Sequence, residues 1–183
     1  MTLINNIILI LVISFVGCNQ LNKNQNMNIK KPLKTVEYVD LEKYMGQWYV
    51  IANIPTFIEK RATNAIEHYK LNDRGEIETK FTFYQDSPDG KKKEYNPRGY
   101  IYNKESNAEW RMQFIWPFKM PFLIIDLDDN YTYTVIGYPN RDYVWIMSRE
   151  PQMKVEDYNN IIDKLSSVGY DISKIQKVLQ DWE

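Results

Sequence analysis

The residue types that most often carry catalysis are scarce in this chain. Cys18 is the only cysteine and His68 the only histidine among 183 residues. A single cysteine excludes an intramolecular disulfide, and one residue of each type cannot form a Cys/His zinc cluster. His68 lies on a predicted strand between Glu67 and Tyr69, where an imidazole without a paired nucleophile is usually a surface or hydrogen-bonded residue. The sequence therefore offers no residue set for Cys-His or histidine-based catalysis.

The segment Asp126 to Asn130 places oxygen-bearing side chains at alternate positions, as calcium-binding loops do. It lacks the glycine and the terminal glutamate of such a loop, and we interpret it as a hairpin turn. The sequence also contains no glycine-rich phosphate loop and no nucleophile elbow. We therefore predict no metal site, no cofactor and no enzymatic activity. A lipid-modifying enzyme is the least favoured alternative, because no residues would carry its chemistry.

Charge and composition narrow the class of protein further. The net charge is −1, with 23 basic and 24 acidic residues, which gives no field strong enough to gather nucleic acid. The 14 Tyr, 7 Phe and 5 Trp are typical of pleated, half-buried surfaces and of apolar pockets. A chain of this length with 44% apolar residues closes one core. We expect one β-rich domain with no nucleic-acid partner.

The N-terminus has the pattern of an export signal. Residues 7–16 are almost continuously apolar, about half of the roughly 20 residues that a membrane span needs, which fits a signal-peptide core. The following Phe15-Val16-Gly17-Cys18 resembles the bacterial lipobox, which implies a signal peptide over residues 1–17 and acylation of Cys18, for example with palmitate. An ordinary secretory signal with a chance cysteine is the alternative. Asn19 is not the Asp that retains lipoproteins at the inner membrane, so we expect an anchor at the outer membrane, on its periplasmic face.

Residues 19–34 are rich in Asn and Lys and poor in large apolar groups. Such a segment does not offset the entropy of ordering it. We predict a lipidated flexible tether over residues 18–34 and one folded domain over residues 35–183.

The domain divides into eight segments of strand length, most of them separated by turn signals rich in Asp, Asn, Gly and Pro. The predicted strands are Gln47 to Ile54, Asn64 to Leu71, Glu76 to Gln85, Glu94 to Asn103, Glu109 to Ile115, Phe122 to Leu127, Tyr131 to Tyr138 and Tyr143 to Arg149. Alternation between apolar and polar residues is clearest in the third and fifth segments. Consecutive hairpins without a crossover helix predict an all-β, eight-stranded, up-and-down antiparallel barrel.

One helical element is predicted at each end of the barrel sequence. Residues 39–45 form a short helical turn with Asp40 as N-cap and Gly46 as its stop. Apolar residues recur at helical spacing from Val155 to Val168, and Gly169 follows as a C-cap. The polar face of this second helix is mixed in charge, which favours a helix packed on the outside of the barrel over a membrane-binding helix.

Two motifs carry a resemblance to a known family. Residues 44–52 (YMGQWYVIA) resemble the opening Gly-x-Trp motif of the lipocalins, particularly the bacterial outer-membrane lipocalin lipoproteins. Residues 140–149 (NRDYVWIMSR) resemble the second and third motifs of that family run together. Both motifs occur within a resemblance that covers residues 39–179, and they are specific in combination.

The resemblance implies structural roles for the motif residues. In the family, the motif Trp plugs the closed end of the barrel and the motif Arg lies across it, which assigns those roles to Trp48 and Arg149. The motif residues that we expect to be structural are Gly46, Trp48, Asp142, Tyr143 and Arg149.

The resemblance also implies binding, transport or storage of apolar ligands, with fatty acids or lysophospholipids as the expected partners. The candidate ligand contacts are Val50, Ala52, Phe81, Phe83, Trp110, Met112, Phe114 and Tyr133. For each of them, packing in a filled core is an equal alternative. A filled barrel would favour a structural or interaction protein of the envelope. The sequence does not decide whether two copies of the chain form a homodimer.

Two features concern the mouth of the barrel. Residues 116–122 (WPFKMPF) keep large apolar side chains in a segment with two prolines, which indicates either a membrane-facing lip or a loop folded back on the barrel. Arg98, Lys119 and residues 91–93 are candidates to meet a lipid head group, although such charges are more often solvated.

Overall fold

The computed structural model of the protein describes residues 31–182. The predicted signal peptide, Cys18 and residues 18–30 of the predicted tether lie outside the described residues. The elements, in chain order, are α1 (Leu41–Tyr44), β1 (Gly46–Ile54), β2 (Ala62–Leu71), β3 (Glu76–Gln85), β4 (Lys91–Tyr95), β5 (Arg98–Ile101), β6 (Glu109–Ile115), β7 (Phe118–Leu127), β8 (Tyr133–Gly137), β9 (Val144–Ser148), α2 (Val155–Ser167), a 3₁₀ turn (Ile172–Lys174) and β10 (Gln176–Lys177).

The strands pair in sequence order and close on themselves. Each strand from β1 to β9 is antiparallel to its neighbours, and β9 returns to pair with β1. β4 and β5 both pair with β3 and act as two halves of one strand, which breaks at Asn96-Pro97 because proline has no N–H to donate. Within the described residues, the predicted all-β, eight-stranded, up-and-down antiparallel barrel is confirmed.

The two ends of the barrel differ. β1 begins and β9 ends beside α1, and we call this the closed end. The loops 55–61, 86–90, 116–117 and 138–143 lie at the other end, which we call the open end.

Most strand boundaries follow the turn residues of the sequence. β3 and β6 have the predicted limits, whereas β7 begins at Phe118 instead of Phe122. The connection between β6 and β7 is the tight turn at Trp116-Pro117, so Ile115 already pairs with Phe118. Pro121 lies within β7, opposite Arg111. β10 was not predicted, since two polar residues paired with β1 leave no periodic signal.

The helices begin and end close to the predicted residues. The Asp40 carboxylate accepts the backbone N–H groups of Glu42 and Lys43 at 3.0 and 3.3 Å, which makes it the N-cap of α1. Gly46 has φ of +93°, and a Cβ added there would lie 3.4 Å from Arg149 Nη1. α2 is followed by Val168 and Gly169. None of the helices in residues 31–182 is long and apolar enough to cross a membrane.

Buried apolar residues form two clusters, separated by the barrel wall. The interior cluster fills the barrel and contains Trp48, Val50 and Trp110. The outer cluster lies between the barrel and α2, where Ile161 and Leu165 pack against strand residues. α2 is therefore packed outside the barrel, as predicted.

Residues 31–39 form a strap along the outside of the barrel. Arg141, in the open-end loop 138–143, donates from Nη2 to the Lys31 carbonyl, and Leu33 packs into the outer cluster. Further along, the Val36 N–H donates to Ile124 O at 2.9 Å and the Val39 N–H to Ser106 O at 2.8 Å. The strap thus runs from the open end to the closed end. The predicted tether boundary at residue 34 is corrected by these contacts, because residues 31–34 are held against the barrel.

Candidate ligand-binding site

Aromatic side chains fill the closed half of the barrel. Trp110 stacks on Phe122, with ring centroids 5.0 Å apart and planes 5° from parallel. Tyr44 contacts both Trp48 and Trp110, at 5.2 and 5.3 Å, and Tyr69 packs beside them at 5.9 Å from Tyr44. Tilted and edge-on rings of this kind add about 0.5–1.5 kcal/mol per pair beyond the burial of their surface. In the part of the chain that the structure describes, buried side chains fill this half of the interior.

The polar atoms of this aromatic fill have partners. Trp48 Nε1 donates to the Tyr44 carbonyl at 2.9 Å, and Trp110 Nε1 donates to the Asn107 carbonyl at 2.7 Å. The hydroxyls of Tyr44 and Thr134 share a hydrogen bond of 3.3 Å. The fill is therefore a fixed part of the core, since these hydrogen bonds offset the cost of burying the polar groups and would be lost on rearrangement.

Arg149 seals the closed end. Its guanidinium lies 3.7 Å from the centre of the Trp48 ring, within cation–π range. Nη1 donates to Gln47 O at 2.8 Å, and Nη2 donates to the carbonyls of Lys43 and Tyr44 at 2.7 and 3.0 Å. One side chain thus ties α1 and the start of β1 to the end of β9.

Asp142 and Tyr143 do not share this location. Both lie in the loop 138–143 at the open end, whereas Arg149 follows the other end of the same strand. The loop that meets Arg149 contains Tyr131, whose carbonyl accepts Arg149 Nε at 3.3 Å and whose hydroxyl accepts the Asp40 N–H at 2.8 Å. Asp128 folds that loop by accepting backbone N–H groups from residues 130, 132 and 133, as a hairpin turn does.

A cavity of about 200 Å³ occupies the open half of the barrel. It is lined by Thr56, Phe57, Ile58, Glu59, Glu67, Phe81, Met112, Phe114, Ile115, Phe118, Met120, Pro121, Phe122, Tyr138, Tyr143 and Trp145. This volume lies below the roughly 300–1,000 Å³ of most small-molecule sites. It accommodates part of a long apolar chain, but not the whole of one.

The predicted ligand contacts separate into three groups. Phe81, Met112 and Phe114 line the cavity. Val50, Phe83 and Trp110 belong to the interior cluster and do not line the cavity. Ala52 and Tyr133 lie in or against the outer cluster, on the far side of the barrel wall.

The placement of Ala52 corrects the predicted alternation of β1. Val50 pairs with Met147 and Ala52 pairs with Ile146, so Ile51 is an extra residue in the strand. A β-bulge of this kind moves every following side chain to the opposite face. Ala52 consequently packs under α2, and Asn53 takes the inward position.

Tyr133 is corrected for a different reason. On β8, Thr134 and Ile136 pair with the inward-facing Met147 and Trp145, whereas Tyr133 packs against the outer cluster together with Val135. Both faces of this strand are buried, one by the interior cluster and one by α2. Apolar character therefore does not distinguish the two faces.

Two glutamates line the otherwise apolar cavity. Glu59, in the loop between β1 and β2, is 4% exposed and accepts Trp145 Nε1 at 3.1 Å and the Thr56 N–H at 3.0 Å. Glu67 points inward from β2 and accepts the Tyr69 hydroxyl. Desolvation is the main cause that raises both pKa values, and it brings the pKa of Glu67 to about 7.

The charge of the cavity lining is one-sided. Among the described residues, those that line the cavity include these two carboxyl groups and no Lys, Arg or His. The nearby charge of Glu59 adds to the raised pKa of Glu67. A ligand carboxylate inside the cavity would meet no cationic partner and two acidic groups, which disfavours an anionic head group at this depth.

Large apolar side chains surround the mouth of the cavity and are exposed to solvent. The exposed fractions are 80% for Phe57, 66% for Ile115, 82% for Trp116 and 73% for Phe118. We call these four residues the apolar lip. Their exposure shows that the alternative of a loop folded back on the barrel is wrong.

The predicted head-group cations do not converge on the mouth. Arg98 forms an ion pair with Glu76 at 2.9 Å on the outer face of the sheet, near the closed half. Lys119 lies 3.5 Å from the centre of the Tyr100 ring, outside the barrel. Residues 91–93 begin β4 at the open end, which leaves them as solvated candidates.

Several depressions on the outside of the barrel are larger than the cavity, and two of them measure about 670 and 740 Å³. Both are bordered by the strap, and the first also by Ile161 and Leu165 of α2. They are furrows between the strap and the barrel surface, whereas the cavity has the barrel wall around it. We therefore take the cavity as the candidate ligand-binding site.

Sequence reasoning missed both cavity glutamates. Glu67 shares the inward face of β2 with Tyr69 and Leu71, so alternation from Tyr69 could have found it. Glu59 lies in a loop, and its burial depends on hydrogen bonds with Thr56 and Trp145. No local sequence pattern indicates these contacts.

Comparisons with known proteins agree with this architecture. The lipocalin-like domain family matches residues 39–180. Temperature-induced lipocalin-1 of Arabidopsis thaliana is 32% identical over 163 residues, which span 84% of this chain and 86% of the relative. The outer membrane lipoprotein Blc of Vibrio cholerae is 25% identical, over 86% of this chain and 92% of that protein. Blc of Escherichia coli strain K12 is 29% identical, over 79% and 81% respectively.

Solved structures show the same fold. Insecticyanin from the tobacco hornworm Manduca sexta superposes with a TM-score of 0.65 at 19% identity, over 82% of this chain and 85% of insecticyanin. With the family match over residues 39–180 and the closed barrel, these similarities establish that the chain belongs to the lipocalin family, as a lipocalin-like domain related to bacterial outer membrane lipoproteins.

Proposed function

We propose that this lipocalin binds the hydrocarbon chain of a fatty acid or a lysophospholipid in its cavity and carries or stores it in the bacterial envelope. The observation that carries the proposal is an apolar cavity that opens between exposed aromatic side chains, while the opposite end of the barrel is filled and sealed. Lipocalins are carriers of small hydrophobic ligands, and the fold of this chain supports that role. Binding without catalysis is the proposed activity.

The charge of the lining favours one orientation of the ligand. An anionic head group inside the cavity would face Glu59 and Glu67 without a cationic partner. We therefore place the end of the hydrocarbon chain inside the cavity and the head group outside the mouth, in water. In this orientation the ligand needs no contact with the two carboxyl groups, and their raised pKa values favour the uncharged form of each.

The proposed location is the periplasmic face of the outer membrane, through acyl chains on Cys18. The lipobox-like residues 15–18 and the similarity to proteins named outer membrane lipoprotein Blc support it. Thirteen peptide bonds separate Cys18 from Lys31. A flexible coil of that length spans about 20 Å on average, which is within reach of lipid.

The test is native mass spectrometry combined with titration of a fluorescent fatty acid. The protein should start at residue 31, because Lys31 and Leu33 contact the barrel. We expect lipid to co-purify and to be displaced by the probe. Met112→Trp fills the cavity from β6 and should weaken probe binding at least about ten-fold.

Gln113→Trp is the matched control, since it adds the same side chain to the outer face of the same strand. It should leave probe affinity unchanged. If no lipid co-purifies and the probe does not bind, the filled-core alternative, a structural or interaction protein of the envelope, is correct. Equal effects of the two Trp variants would show that the probe binds outside the cavity.

A further inference from the structure

The four residues of the apolar lip lie together at one end of the molecule. Ile115 and Phe118 face each other across the β6–β7 pair, and Trp116 lies in the turn between them. Phe57 joins them from the loop 55–61, on the shared rim of the cavity. Exposed apolar side chains that occur together in this way mark an interaction site, whereas scattered ones do not.

Apart from Phe114, the other exposed aromatic residues in the described range lie at the closed end or on the side of the barrel. Tyr38 precedes α1 at the closed end, and Tyr102 lies in the closed-end loop under the Arg111 guanidinium. Trp182 packs against Tyr49 on the side of the barrel. The open end is thus set apart from the remaining surface.

The strap leads toward this same end. The Lys31 carbonyl is bound by Arg141, and Arg141 also donates to the carbonyls of Pro139 and Val168 at 2.6 and 3.2 Å. This arginine is 8% exposed, so its position is fixed by the fold. The chain that precedes residue 31 therefore departs from the domain beside the loop 138–143, at the open end.

We propose that the open end of the barrel docks on a lipid bilayer, with the apolar lip inserted among the acyl chains and the cavity mouth facing the membrane. Bulky aromatic side chains are favoured in the interfacial region of a bilayer. A short tether that starts at the open end keeps the lip within reach of the membrane that holds the anchor. The proposal rests on the proposed lipid anchor for its membrane, whereas insertion of the lip is a property of the folded domain alone.

The experiment uses the chain from residue 31, which contains every strand and both core clusters, and vesicles of equimolar phosphatidylethanolamine and phosphatidylglycerol. We expect the domain to float with the vesicles and brominated acyl chains to quench Trp116 fluorescence. Trp116→Ser should lower the partition coefficient at least about ten-fold, since a large aromatic side chain is withdrawn from lipid. Tyr38→Ser is the matched control at the closed end and should leave the partition coefficient unchanged.

Several results would overturn docking. These results are that the domain does not float with the vesicles, that Tyr38→Ser weakens vesicle binding as much as Trp116→Ser, or that sedimentation shows a Trp116-dependent dimer that does not bind vesicles. Thermal unfolding checks that each variant is folded, and Phe118→Ser repeats the test at a second lip position.

Failure of the proposed function is measured separately. Titration of a fluorescent fatty acid into the parent chain, in lipid-free solution, tests the carrier without vesicles. Vesicle binding that depends on Trp116, without any fatty-acid binding, would retain the docking surface and reject the carrier.

Discussion

Glu67→Gln is the substitution whose effect is most closely defined by the cavity. The pKa of Glu67 is raised from its ordinary 4.5 to about 7, mainly by desolvation inside the barrel. Between about pH 4.5 and pH 7, the folded protein therefore keeps a proton on Glu67 that the unfolded chain has already released. Stability is unaffected by this group below about pH 4.5 and falls as the pH rises toward 7.

The magnitude follows from the difference between the two pKa values. At about 1.4 kcal/mol per unit, ionised Glu67 costs about 3 kcal/mol of folding free energy at pH 8 and less than about 1 kcal/mol at pH 5. Glutamine has nearly the same shape, stays neutral, and still accepts a hydrogen bond from the Tyr69 hydroxyl. Glu67→Gln should therefore stabilise the protein by about 3 kcal/mol at pH 8 and have little effect at pH 5.

Urea denaturation of both proteins at pH 5 and pH 8 measures this difference. Glu78→Gln is the control, because Glu78 is an exposed glutamate on the outer face of the adjacent strand β3. It should change stability by less than about 0.5 kcal/mol at either pH. A stability gain for Glu67→Gln that is the same at pH 5 and pH 8 would refute desolvation of the Glu67 carboxylate as the cause.

Two further predictions concern the closed end and the length of the ligand. Arg149→Ala should lower the free energy of unfolding by about 2 kcal/mol or more without changing fatty-acid affinity, because it removes the Trp48 contact and several carbonyl hydrogen bonds far from the cavity. Thermal unfolding and probe titration test this prediction. A loss of affinity alone would contradict it. Fatty-acid affinity in lipid-free solution should rise about four-fold per methylene until the chain fills the 200 Å³ cavity, at about six or seven carbons, and then rise less steeply. Calorimetry over a chain-length series measures this, and an undiminished increment up to sixteen carbons would mean that the barrel opens wider than its structure.

The elements of the fold followed from the sequence wherever local chemistry decides them. Alternation gave β3 and β6 their limits, and Asp40 and Gly169 marked a helix start and a helix end. The resemblance to lipocalins implied the Arg149–Trp48 contact, whereas Asp142, which belongs to the same set of motif residues, lies at the other end of β9. A short motif indicates which residues occur together in a family, but the length of the strand between those residues determines their distance in the structure.

The face of an individual side chain was harder to predict, since it depends on distant contacts. A single extra residue, Ile51, turned Ala52 outward, and nothing in the apolar run of β1 distinguishes that residue from its neighbours. On β8, α2 buries the outward face of the strand, so the outward-facing Tyr133 lies in surroundings as apolar as those of an inward residue. The inward residues that contact a ligand are those beyond the aromatic fill. The depth of that fill depends on tertiary packing and not on any local sequence pattern.

The division of the barrel interior connects the cavity with the apolar lip. Because the rings of Tyr44, Trp48, Tyr69, Trp110 and Phe122 occupy the closed half, the cavity shelters about six or seven carbons of a hydrocarbon chain. Those carbons contribute about 5 kcal/mol, so the carbons outside the cavity must add to this for the affinity to exceed association costs of at least about 4 kcal/mol. The remaining carbons of a membrane lipid would lie at the mouth, where Phe57 and Phe118 flank them. A lipid therefore gains most from this barrel when the mouth lies against a bilayer, since its uncovered carbons then stay out of water while the first ones enter the cavity. Exchange of a lipid between membrane and barrel is the step that this geometry favours, over long-term enclosure in solution.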